Sequence, residues 1–333
     1  MNGPLDEFLS TYGQVGPTPE PTADAVPSFS VIVRTQGTRP TSLHEAIESL
    51  AAQHHREFDV VVVVHGDEAT AEGVRRDLGS RAGLRLDVIG VQGGGRSTPL
   101  NAGLERVTGS HVCFLDDDDL VDDDWLAAFA DAIGAAPSAV IRAVTRSQSW
   151  TTDGGVEPVR ATGPVEFPFP DRFDLLAHMS LNLTPICALA YPRHLVDEFG
   201  LRFDDDLPVY EDWDFLMRAA MVAGVVSIPA ATSLYRRLDG GNADDAATVA
   251  TWERAHAAVI DRLSSRPVLL PAGDARRLAG THFVLDGRSR HEQDLASARD
   301  ELDQLTRSPV RWGRAFGARL GSAARHRIAA RRP

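Results

Sequence analysis

The sequence predicts a doubly wound α/β fold, in which helices cover both faces of a mostly parallel sheet. Short apolar strands alternate with amphipathic helices from about residue 28 to residue 135. The run Val60–Val64 is continuously β-branched, as expected for a strand that is buried on both faces of a parallel sheet. Such an alternation implies right-handed crossovers, and ligands of these sheets bind beyond the carboxyl ends of the strands.

The elements of this first part follow one another in a regular order. Apolar character defines four strands, at Phe29–Val33, Val60–Val64, Leu84–Val91 and His111–Leu115. Helical spacing of apolar residues defines the helices, at Leu43, Ile47, Leu50 and Ala51, then Leu100–Val107, then Trp125, Leu126, Phe129 and Ile133. The last of these strands ends in an acidic run, which therefore occupies the edge of the sheet where a ligand is expected.

Beyond Ala139 the alternation of strands and helices becomes less regular. Residues 150–172 are rich in glycine and proline, which predicts a long loop of the kind that often covers an active site. The later elements are predicted as a strand at Ile186–Tyr191, a helix at Glu211–Ala223, two short strands at Val225–Ile228 and Thr232–Arg236, and mostly helix from Asp244 onward.

Composition excludes several classes of protein. The chain has 333 residues, of which 43% are hydrophobic and 24% charged, and no apolar run is long enough to span a membrane. Its net charge of −13 argues against general nucleic-acid binding. Cys113 and Cys187 both lie in apolar stretches, which predicts buried thiols. The N-terminus lacks a basic region followed by an apolar one, so we expect a cytoplasmic protein.

The acidic run Asp116–Asp119 directly follows an apolar strand. Four adjacent carboxylates repel one another, and a divalent cation bound among them would offset that repulsion, since hard cations take carboxylate oxygens as ligands. We therefore interpret Asp116 and Asp118 as functional. The acids of Asp122–Asp124 come just before a helix, where the macrodipole favours negative charge, and need no such role.

A second acidic segment, Glu211–Asp212, opens the helix Glu211–Ala223. Metal-binding carboxylates together with a separate carboxylate indicate chemistry on a phosphate-bearing substrate. The alternative is that Glu211 and Asp212 are ordinary acids at a helix N-terminus.

Four motifs in this order resemble the family 2 glycosyltransferases, which have the GT-A fold. They are the Val-rich second strand, Asn101–Leu104, Phe114–Asp119, and Glu211–Trp213 with Arg218. The resemblance covers about residues 28–240 and implies a GT-A fold, a Rossmann-like, nucleotide-diphospho-sugar transferase mixed sheet flanked by helices. It also implies transfer of a sugar from a nucleotide-diphosphate sugar to a hydroxyl, with inversion at the anomeric carbon.

The resemblance assigns roles to the carboxylates. Asp116 would contact the donor's ribose or the water shell of a metal, and Asp118 would coordinate Mn²⁺ or Mg²⁺ that bridges to the diphosphate. A cation stabilises the charge that develops on the leaving nucleoside diphosphate. Asp212 would be the general base that takes the proton of the incoming hydroxyl, with Glu211 beside it raising its pKa.

Further donor contacts follow from the same resemblance. Thr35 occupies a position that touches the nucleotide, and Asn101 and Asp117 belong to the matching motifs. Arg96 follows a glycine run that would lie near the strand ends and the phosphates. Arg218 would pair with the carboxylates one and two turns before it, although a plain surface position is the alternative.

The chain departs from the family pattern at two places. Where many members carry two acids after the second strand, this chain has Val64 and His65, so His65 would read a base edge or serve only the fold. The segment Tyr235–Asp239 lacks the histidine that completes the metal site in many members. Asp239 would replace it, or Arg236 and Arg237 would take up the diphosphate charge. The Gln-x-x-Arg-Trp motif of processive synthases is absent, which favours single additions.

These observations divide the chain into segments. We predict a disordered tail at 1–27, a GT-A domain at 28–243 with a nucleotide-binding half at 28–135 and an acceptor half at 136–243, and a helical extension at 244–304. The acceptor would be a glycan or lipid-linked molecule in cell-surface polysaccharide synthesis. The alternatives are a nucleotidyltransferase of similar fold, for which Arg34 and Arg39 leave room, and a non-catalytic sugar-nucleotide-binding protein.

The segment 305–333 is predicted to be a basic amphipathic tail. Beyond Asp303 there are eight arginines and no acidic residue. Trp312, Phe316 and Leu320 recur every four residues among them, a pattern that fits an interfacial helix on an anionic membrane at the inner face of the cell membrane. Glycines within this segment weaken a helix, so a disordered basic tail is the alternative.

Overall fold

The computed structural model describes residues 26–79, 84–239, 246–265, 267–268, 270 and 275–279. The chain forms two compact units, residues 1–270 and 271–333. All elements named below lie in the first unit. In the second unit, the described residues 275–279 are helical. Of the predicted tail 1–27, residues 1–25 lie outside the described residues. The predicted tail 305–333 also lies outside them, as do most residues beyond 270 of the predicted extension 244–304.

The described strands form one mixed sheet. They are β1 (Phe29–Thr35), β2 (Phe58–His65), β3 (Arg85–Val91), β4 (His111–Asp116), β5 (Leu120–Val121), β6 (Val140–Thr151), β7 (Arg160–Ala161), β8 (Leu189–Pro192) and β9 (Val225–Asp239). Their order is β3-β2-β1-β4-β8-β6-β9-β5, with β7 paired to β6. The pairs among β1, β2, β3 and β4 are parallel, whereas β8 is antiparallel to both β4 and β6. The predicted α/β class with a mixed sheet is confirmed.

Eight helices of the first unit are described. They are α1 (Pro40–Ala51), α2 (Glu68–Leu78), α3 (Ser97–Leu104), α4 (Trp125–Ile133), α5 (Leu175–His178), α6 (His194–Asp197), α7 (Glu211–Ala223) and α8 (Ala246–Ser264). Asp67 caps α2 by accepting a hydrogen bond from the amide of Thr70. Helix α3, which was predicted at Leu100–Val107, begins and ends three residues earlier than its apolar pattern indicated, at Ser97 and Leu104.

Alternation along the strands places a hydrophobic core on each face of the sheet. On β1, Val31 and Val33 face helices α1, α2 and α4, whereas Ile32 faces α3 and α7. Helix α3 lies so close to β1 that a Cβ on Gly103 would come within 2.7 Å of Ile32. A third cluster joins α7 to α8, with Trp213 and Val259 fully buried.

Three predictions for the second half of the sheet were incomplete. The sequence did not reveal β6, which continues to Thr151, inside the predicted loop of residues 150–172. The two short strands predicted around Pro229 are one strand, β9, whose register against β6 shifts near Val144. The strand predicted from Ile186 begins at Leu189, after a 3-10 turn.

Candidate active site

The sheet order reverses beside β1, because β2 lies on one side of it and β4 on the other. Crevices at such reversals, outside the carboxyl ends of the strands, are where open α/β sheets bind ligands. Arg34 and Asp116 are register partners at these ends. Arg34 donates to both carboxylate oxygens, with Nε–Oδ1 at 2.9 Å and Nη2–Oδ2 at 2.8 Å. The pair therefore forms the floor of the crevice.

Arg34 also connects the end of β1 to the start of helix α7. Its Nη1 donates to Oε1 of Glu211 at 2.7 Å, and Nε of Arg96 donates to the same oxygen at 2.9 Å. Burial lowers the pKa of Arg34, but the charges of Asp116 and Glu211 outweigh burial and raise it above its ordinary value. A carboxylate oxygen that accepts from two guanidinium groups is poorly placed to take another proton, so Glu211 serves better as a bridge than as a base.

The acidic run is a tight turn whose carboxylates accept hydrogen bonds from Arg34, Thr35, Arg39 and the amide of Arg236. The amide of Asp119 donates to the carbonyl of Asp116 at 3.1 Å, which closes the turn between β4 and β5. Burial raises the pKa of Asp116, but the charge and hydrogen bonds of Arg34 outweigh it, so this pKa lies below its ordinary value. The separate partners reduce the repulsion that the sequence alone suggested.

Asp117 and Asp118 share Arg39. Nη1 of Arg39 lies 3.1 Å from Oδ1 of Asp117 and 2.6 Å from Oδ2 of Asp118. Asp117 also accepts from the hydroxyl of Thr35 at 2.5 Å. Burial, followed by the charge of Asp116, raises the pKa of Asp118 to about 6. Asp118 is thus a carboxylate whose negative charge the surrounding protein compensates incompletely.

Residues of the predicted loop hold Arg39 from the other side. The carbonyl of Val156 accepts from Nε of Arg39 at 2.9 Å, and Glu157 accepts from the amide of Thr41 at 2.6 Å. The turn between β6 and β7 therefore reaches across to the start of α1, beside the acidic run.

Arg236 lies buried beneath the acidic run. Its amide donates to Asp119 at 2.9 Å, its Nη1 donates to Glu45 at 2.5 Å, and its Nε donates to the carbonyl of Asp118. Its guanidinium carbon lies 5.0 Å from the centre of the Trp150 ring. Within the described residues its Nη2 has no hydrogen-bond partner. Arg236 thus fixes the shape of the turn that presents Asp118.

Asp212 stands at the start of α7 and is half-buried. Its Oδ2 accepts from Nδ2 of Asn182 at 3.2 Å, and its Oδ1 accepts from the amide of Trp213 at 2.8 Å. Burial, followed by the charge of Glu211, raises the pKa of Asp212 to about 6. A carboxylate with a pKa nearer neutrality than usual is suited to proton transfer.

Two adjoining cavities lie at the edge of the sheet where the parallel strands end. The first cavity, of about 350 Å³, includes Thr35, Arg39, His65, Asp118 and Arg236 among its lining residues. The second cavity, of about 330 Å³, includes Asn182, Tyr210, Glu211 and Asp212. Their shared wall contains Arg34, Arg96, Asp116, Tyr235 and Trp252. The structure therefore brings most of the predicted site residues into one crevice.

Three predicted donor contacts have their own local arrangement. His65 lies in the first cavity, with Nε2 2.9 Å from the carbonyl of Gly93. Arg96 lines both cavities and is half exposed. The hydroxyl of Thr35 accepts from the amide of Gly37 at 2.9 Å while it donates to Asp117.

Asn101 and Arg218 are not among the residues that line the two cavities. Asn101 exchanges two hydrogen bonds with the backbone of Phe203, at 2.9 and 2.8 Å. Arg218 pairs with Asp214 one turn before it, at 2.7 Å, and donates to the carbonyl of Arg202 at 2.6 Å. Both side chains hold the segment that leads into α7.

Sequence analysis did not identify the central role of Arg34, nor the positions of Asn182 and Trp252. A charged residue at the end of the otherwise apolar strand β1 was the available signal for Arg34. Asn182 and Trp252 lie in segments without a recognisable motif, so only the fold places them beside Asp212.

The sequence model of the family described as "Glycosyltransferase like family 2" matches residues 27–259. The chain belongs to this glycosyltransferase family. The matched segment contains every residue of the crevice described above, and the match favours a glycosyltransferase over the alternative of a nucleotidyltransferase.

Similar glycosyltransferases occur in bacteria and archaea. The chain is 26% identical over 240 residues to the uncharacterized glycosyltransferase YwdF of Bacillus subtilis, which covers 72% of this chain and 83% of YwdF. It is 24% identical over 196 residues to the uncharacterized glycosyltransferase EpsJ of the same organism, which covers 58% of this chain and 56% of EpsJ. A 122-residue stretch is 31% identical to the glucosyl-dolichyl phosphate glucuronosyltransferase of Haloferax volcanii, covering 36% of this chain and 39% of that protein.

Solved structures share the fold. TarS 1-349 of S. aureus, in complex with UDP-GlcNAc, superposes with a TM-score of 0.50 at 25% identity, covering 70% of this chain and 66% of that one. The mannosyltransferase PcManGT of Pyrobaculum calidifontis, in complex with GDP-Man and Mn²⁺, superposes with a TM-score of 0.52 at 21% identity, covering 72% and 66%. These likenesses confirm the predicted GT-A fold.

The family resemblance raises the question of a metal ion. The described residues contain no group of three or more His, Cys, Asp or Glu side chains placed to hold one. Asp116 uses both oxygens on Arg34, and a role as metal ligand would require Arg34 to release it. Asp118 lines the first cavity, and ions such as Mg²⁺ are often held by one or two carboxylates together with substrate phosphates. The residues therefore fit a metal shared between Asp118 and a diphosphate, but not a metal caged by protein alone.

In the part of the chain that the structure describes, every helix is too short or too polar to cross a bilayer.

Proposed function

We propose that this glycosyltransferase moves a sugar from a nucleotide-diphosphate sugar to a hydroxyl of a glycan or glycolipid, with inversion at the anomeric carbon. The observation that carries the proposal is the position of Asp212. Its carboxylate, with a pKa raised to about 6, lines the second cavity, which shares a wall with the arginine-rich first cavity. A base and an anion-binding crevice side by side are what displacement of a nucleoside diphosphate by a hydroxyl requires.

The first cavity would hold the donor. Arg39 and Arg96 line it, and their guanidinium groups suit the phosphate oxygens of a nucleoside diphosphate. Thr35 and His65 lie in the same cavity, where they would contact the nucleoside. As the bond to the sugar breaks, negative charge develops on the diphosphate, and the nearby arginines stabilise it.

The second cavity would receive the acceptor. Asp212 takes the proton from the acceptor hydroxyl while the hydroxyl oxygen forms its bond to the anomeric carbon. Asn182, which donates to Oδ2 of Asp212, orients the carboxylate. Arg34 holds Glu211 beside Asp212, because its Nη1 lies 2.7 Å from the Glu211 carboxylate. Charge from Glu211 then favours the proton on Asp212 once it has been taken up.

We assign the divalent ion to Asp118. Mn²⁺ or Mg²⁺ shared between this carboxylate and the diphosphate would supply positive charge to the leaving group. Asp118 lies 2.6 Å from Arg39, so this arginine would turn from the carboxylate to the phosphates when donor and metal are present.

The cellular role is proposed on two grounds. The Haloferax volcanii relative is named for glucuronosyl transfer to a glucosyl-dolichyl phosphate, which supports a lipid-linked acceptor. The arginine-rich segment after Asp303 supports peripheral contact with an anionic membrane, where cell-surface polysaccharides are assembled.

A donor panel tests the proposal. UDP-, GDP- and dTDP-sugars are added to the full chain with Mn²⁺, and both the melting temperature and the release of nucleoside diphosphate are measured. The true donor, at a concentration 100-fold above its dissociation constant, should raise the melting temperature by about 5–10 °C. The matching nucleoside monophosphate is the control and should give a smaller shift. If no donor stabilises the fold and none is consumed, the proposal is wrong.

A further inference from the structure

An open pocket adjoins the second cavity. It has a volume of about 420 Å³ and is lined by Tyr210, Val249, Trp252, Glu253 and His256. Tyr210 and Trp252 also line the second cavity, which contains Asp212. A molecule whose hydroxyl reaches Asp212 would therefore extend into this pocket, which we call the aromatic pocket.

The aromatic rings here form a supported row. Trp213 is fully buried, and its Nε1 donates to the carbonyl of His178 at 2.7 Å. Tyr210 packs against Trp213 with ring centres 5.4 Å apart, and Trp252 meets Tyr210 at 4.9 Å with the rings nearly perpendicular. Trp252, the outermost ring, is 44% exposed. The row holds a large apolar side chain at the surface beside the crevice.

The backbone of Tyr210 is also unusual. Its φ is 65°, in the left-handed region that residues with a Cβ rarely adopt. Such conformations persist where the surrounding structure enforces them, and they concentrate at functional sites. Here the conformation directs the Tyr210 ring towards Trp252 immediately before Glu211 and Asp212 begin α7.

The chemistry of the pocket fits a sugar ring. A pyranose has one or both faces covered by C–H groups, which pack on an aromatic face, while its hydroxyls point outward to polar partners. Tyr210 and Trp252 offer the aromatic surface, and Glu253 offers a polar group at the rim, whereas Nε2 of His256 lies 2.9 Å from the carbonyl of Ser180. Glu253, at the rim of the pocket, disfavours an anionic group in this position. A neutral saccharide matches both properties.

We infer that Trp252 and Tyr210 form a stacking platform for a neutral pyranose ring of the acceptor, which makes the acceptor a carbohydrate. The inference rests on the proposed transferase function, and it names the class of molecule that occupies the second cavity. Trp252 is a positioning residue that holds the acceptor sugar with its hydroxyl towards Asp212. The competing occupant is the base of the donor, since Trp252 also lines the first cavity.

Acceptor kinetics test the inference. The donor identified in the panel above is held at saturation, and the acceptors are methyl glycosides of neutral hexoses and short oligosaccharides of the same sugars. Methyl glycosides are chosen because they carry no aromatic group of their own. The variants are Trp252→Ala, Trp252→Phe and, as a matched control, Arg254→Ala, since Arg254 is exposed on the same helix but does not line the cavities. Melting temperatures confirm that each variant folds.

Trp252→Ala should raise the acceptor KM about tenfold or more, and Trp252→Phe should stay within about threefold of the wild type, because an aromatic ring is retained. Arg254→Ala should match the wild type. If Trp252→Ala and Arg254→Ala have the same acceptor KM while transfer continues, the inference is wrong and the transferase function stands. If Trp252→Ala raises only the donor KM, Trp252 belongs to the donor site and the inference is also overturned. Absence of any donor turnover in the wild type would instead refute the function itself.

Discussion

Replacing Arg34 with methionine tests the centre of the site. Arg34 donates to Asp116 at 2.9 and 2.8 Å and to Glu211 at 2.7 Å, and its side chain is only 12% exposed. Methionine has a similar length and leaves two carboxylates without this partner. Removing one member of a buried ion pair costs about 3–5 kcal/mol.

The structure places this variant at the lower end of that range. Asp116 is 25% exposed and can gain water, and Glu211 keeps its hydrogen bond to Arg96. We expect a loss of about 3 kcal/mol, which corresponds to a decrease in melting temperature of about 6–12 °C for a unit of this size. Scanning calorimetry at pH 7 measures the decrease in melting temperature.

The pH dependence gives a second signature of the same change. Arg34 lowers the pKa of Asp116 in the folded protein, so this pair contributes stability above the unfolded pKa of about 4, and the contribution is lost as the pH falls through the folded value. The difference between Arg34→Met and the wild type should therefore be fully present from neutral pH down to about 4, and it should decrease only as the pH falls below 4 towards the folded pKa of Asp116.

An exposed ion pair provides the matched control. Arg237 lies 2.8 Å from Glu166, but both side chains are more than 40% exposed, so Arg237→Met should cost no more than about 1 kcal/mol. Equal melting temperatures for Arg34→Met and Arg237→Met would refute the reasoning that Arg34 stabilises the site through its contacts with Asp116 and Glu211.

Three further predictions concern activity and binding. Asp212 has a pKa raised to about 6 and must be unprotonated to act as a base, so kcat/KM for transfer should fall as the pH decreases below that value. A flat profile of kcat/KM from pH 5 to 8 would contradict the assignment of Asp212 as the base. Asp118→Ala should abolish the Mn²⁺-dependent part of nucleoside diphosphate binding in a calorimetric titration. Asp124→Ala, at an exposed acid outside the run, should leave that part intact. If the two variants bind the nucleoside diphosphate with equal affinity in the presence of Mn²⁺, the assignment of the metal to Asp118 is wrong. Truncation at Leu305 should abolish sedimentation with anionic vesicles at low salt, since each arginine contributes at most about 1 kcal/mol near such a surface; if the full chain ignores these vesicles, the membrane assignment is wrong.

The parallel part of the sheet could be predicted because each segment follows one simple pattern. The strand at Val60–Val64 is buried on both faces and is therefore uniformly apolar, and Leu43, Ile47 and Leu50 mark one buried helix face. The same reasoning failed for β6. Its buried Arg142 bonds to Thr184 at 2.7 Å, and its outer half carries polar residues, so its pattern is neither alternating nor continuous.

The residues of the site could also be predicted only in part. Position at a strand end identified the acidic run, and position at a helix start identified Asp212. Sequence could not show which groups pair with the four adjacent aspartates, because the turn at Asp116–Asp119 decides the directions of their side chains. Arg34 is 82 residues from Asp116 and 177 from Glu211, so its role depends on the sheet order, which brings these residues together.

The central claim is that Asp212 is the base of a sugar transfer, and Asp212→Asn tests it most directly. The amide keeps the shape of the side chain but cannot take a proton. With the donor identified in the panel and a saccharide acceptor, kcat should fall by about 10²–10⁴ while the donor still binds with nearly unchanged affinity. Asp206→Asn, at an exposed acid shortly before α7, is the control and should retain full activity. If Asp212→Asn transfers sugar as fast as Asp206→Asn, the base is another residue and the account of the site is wrong.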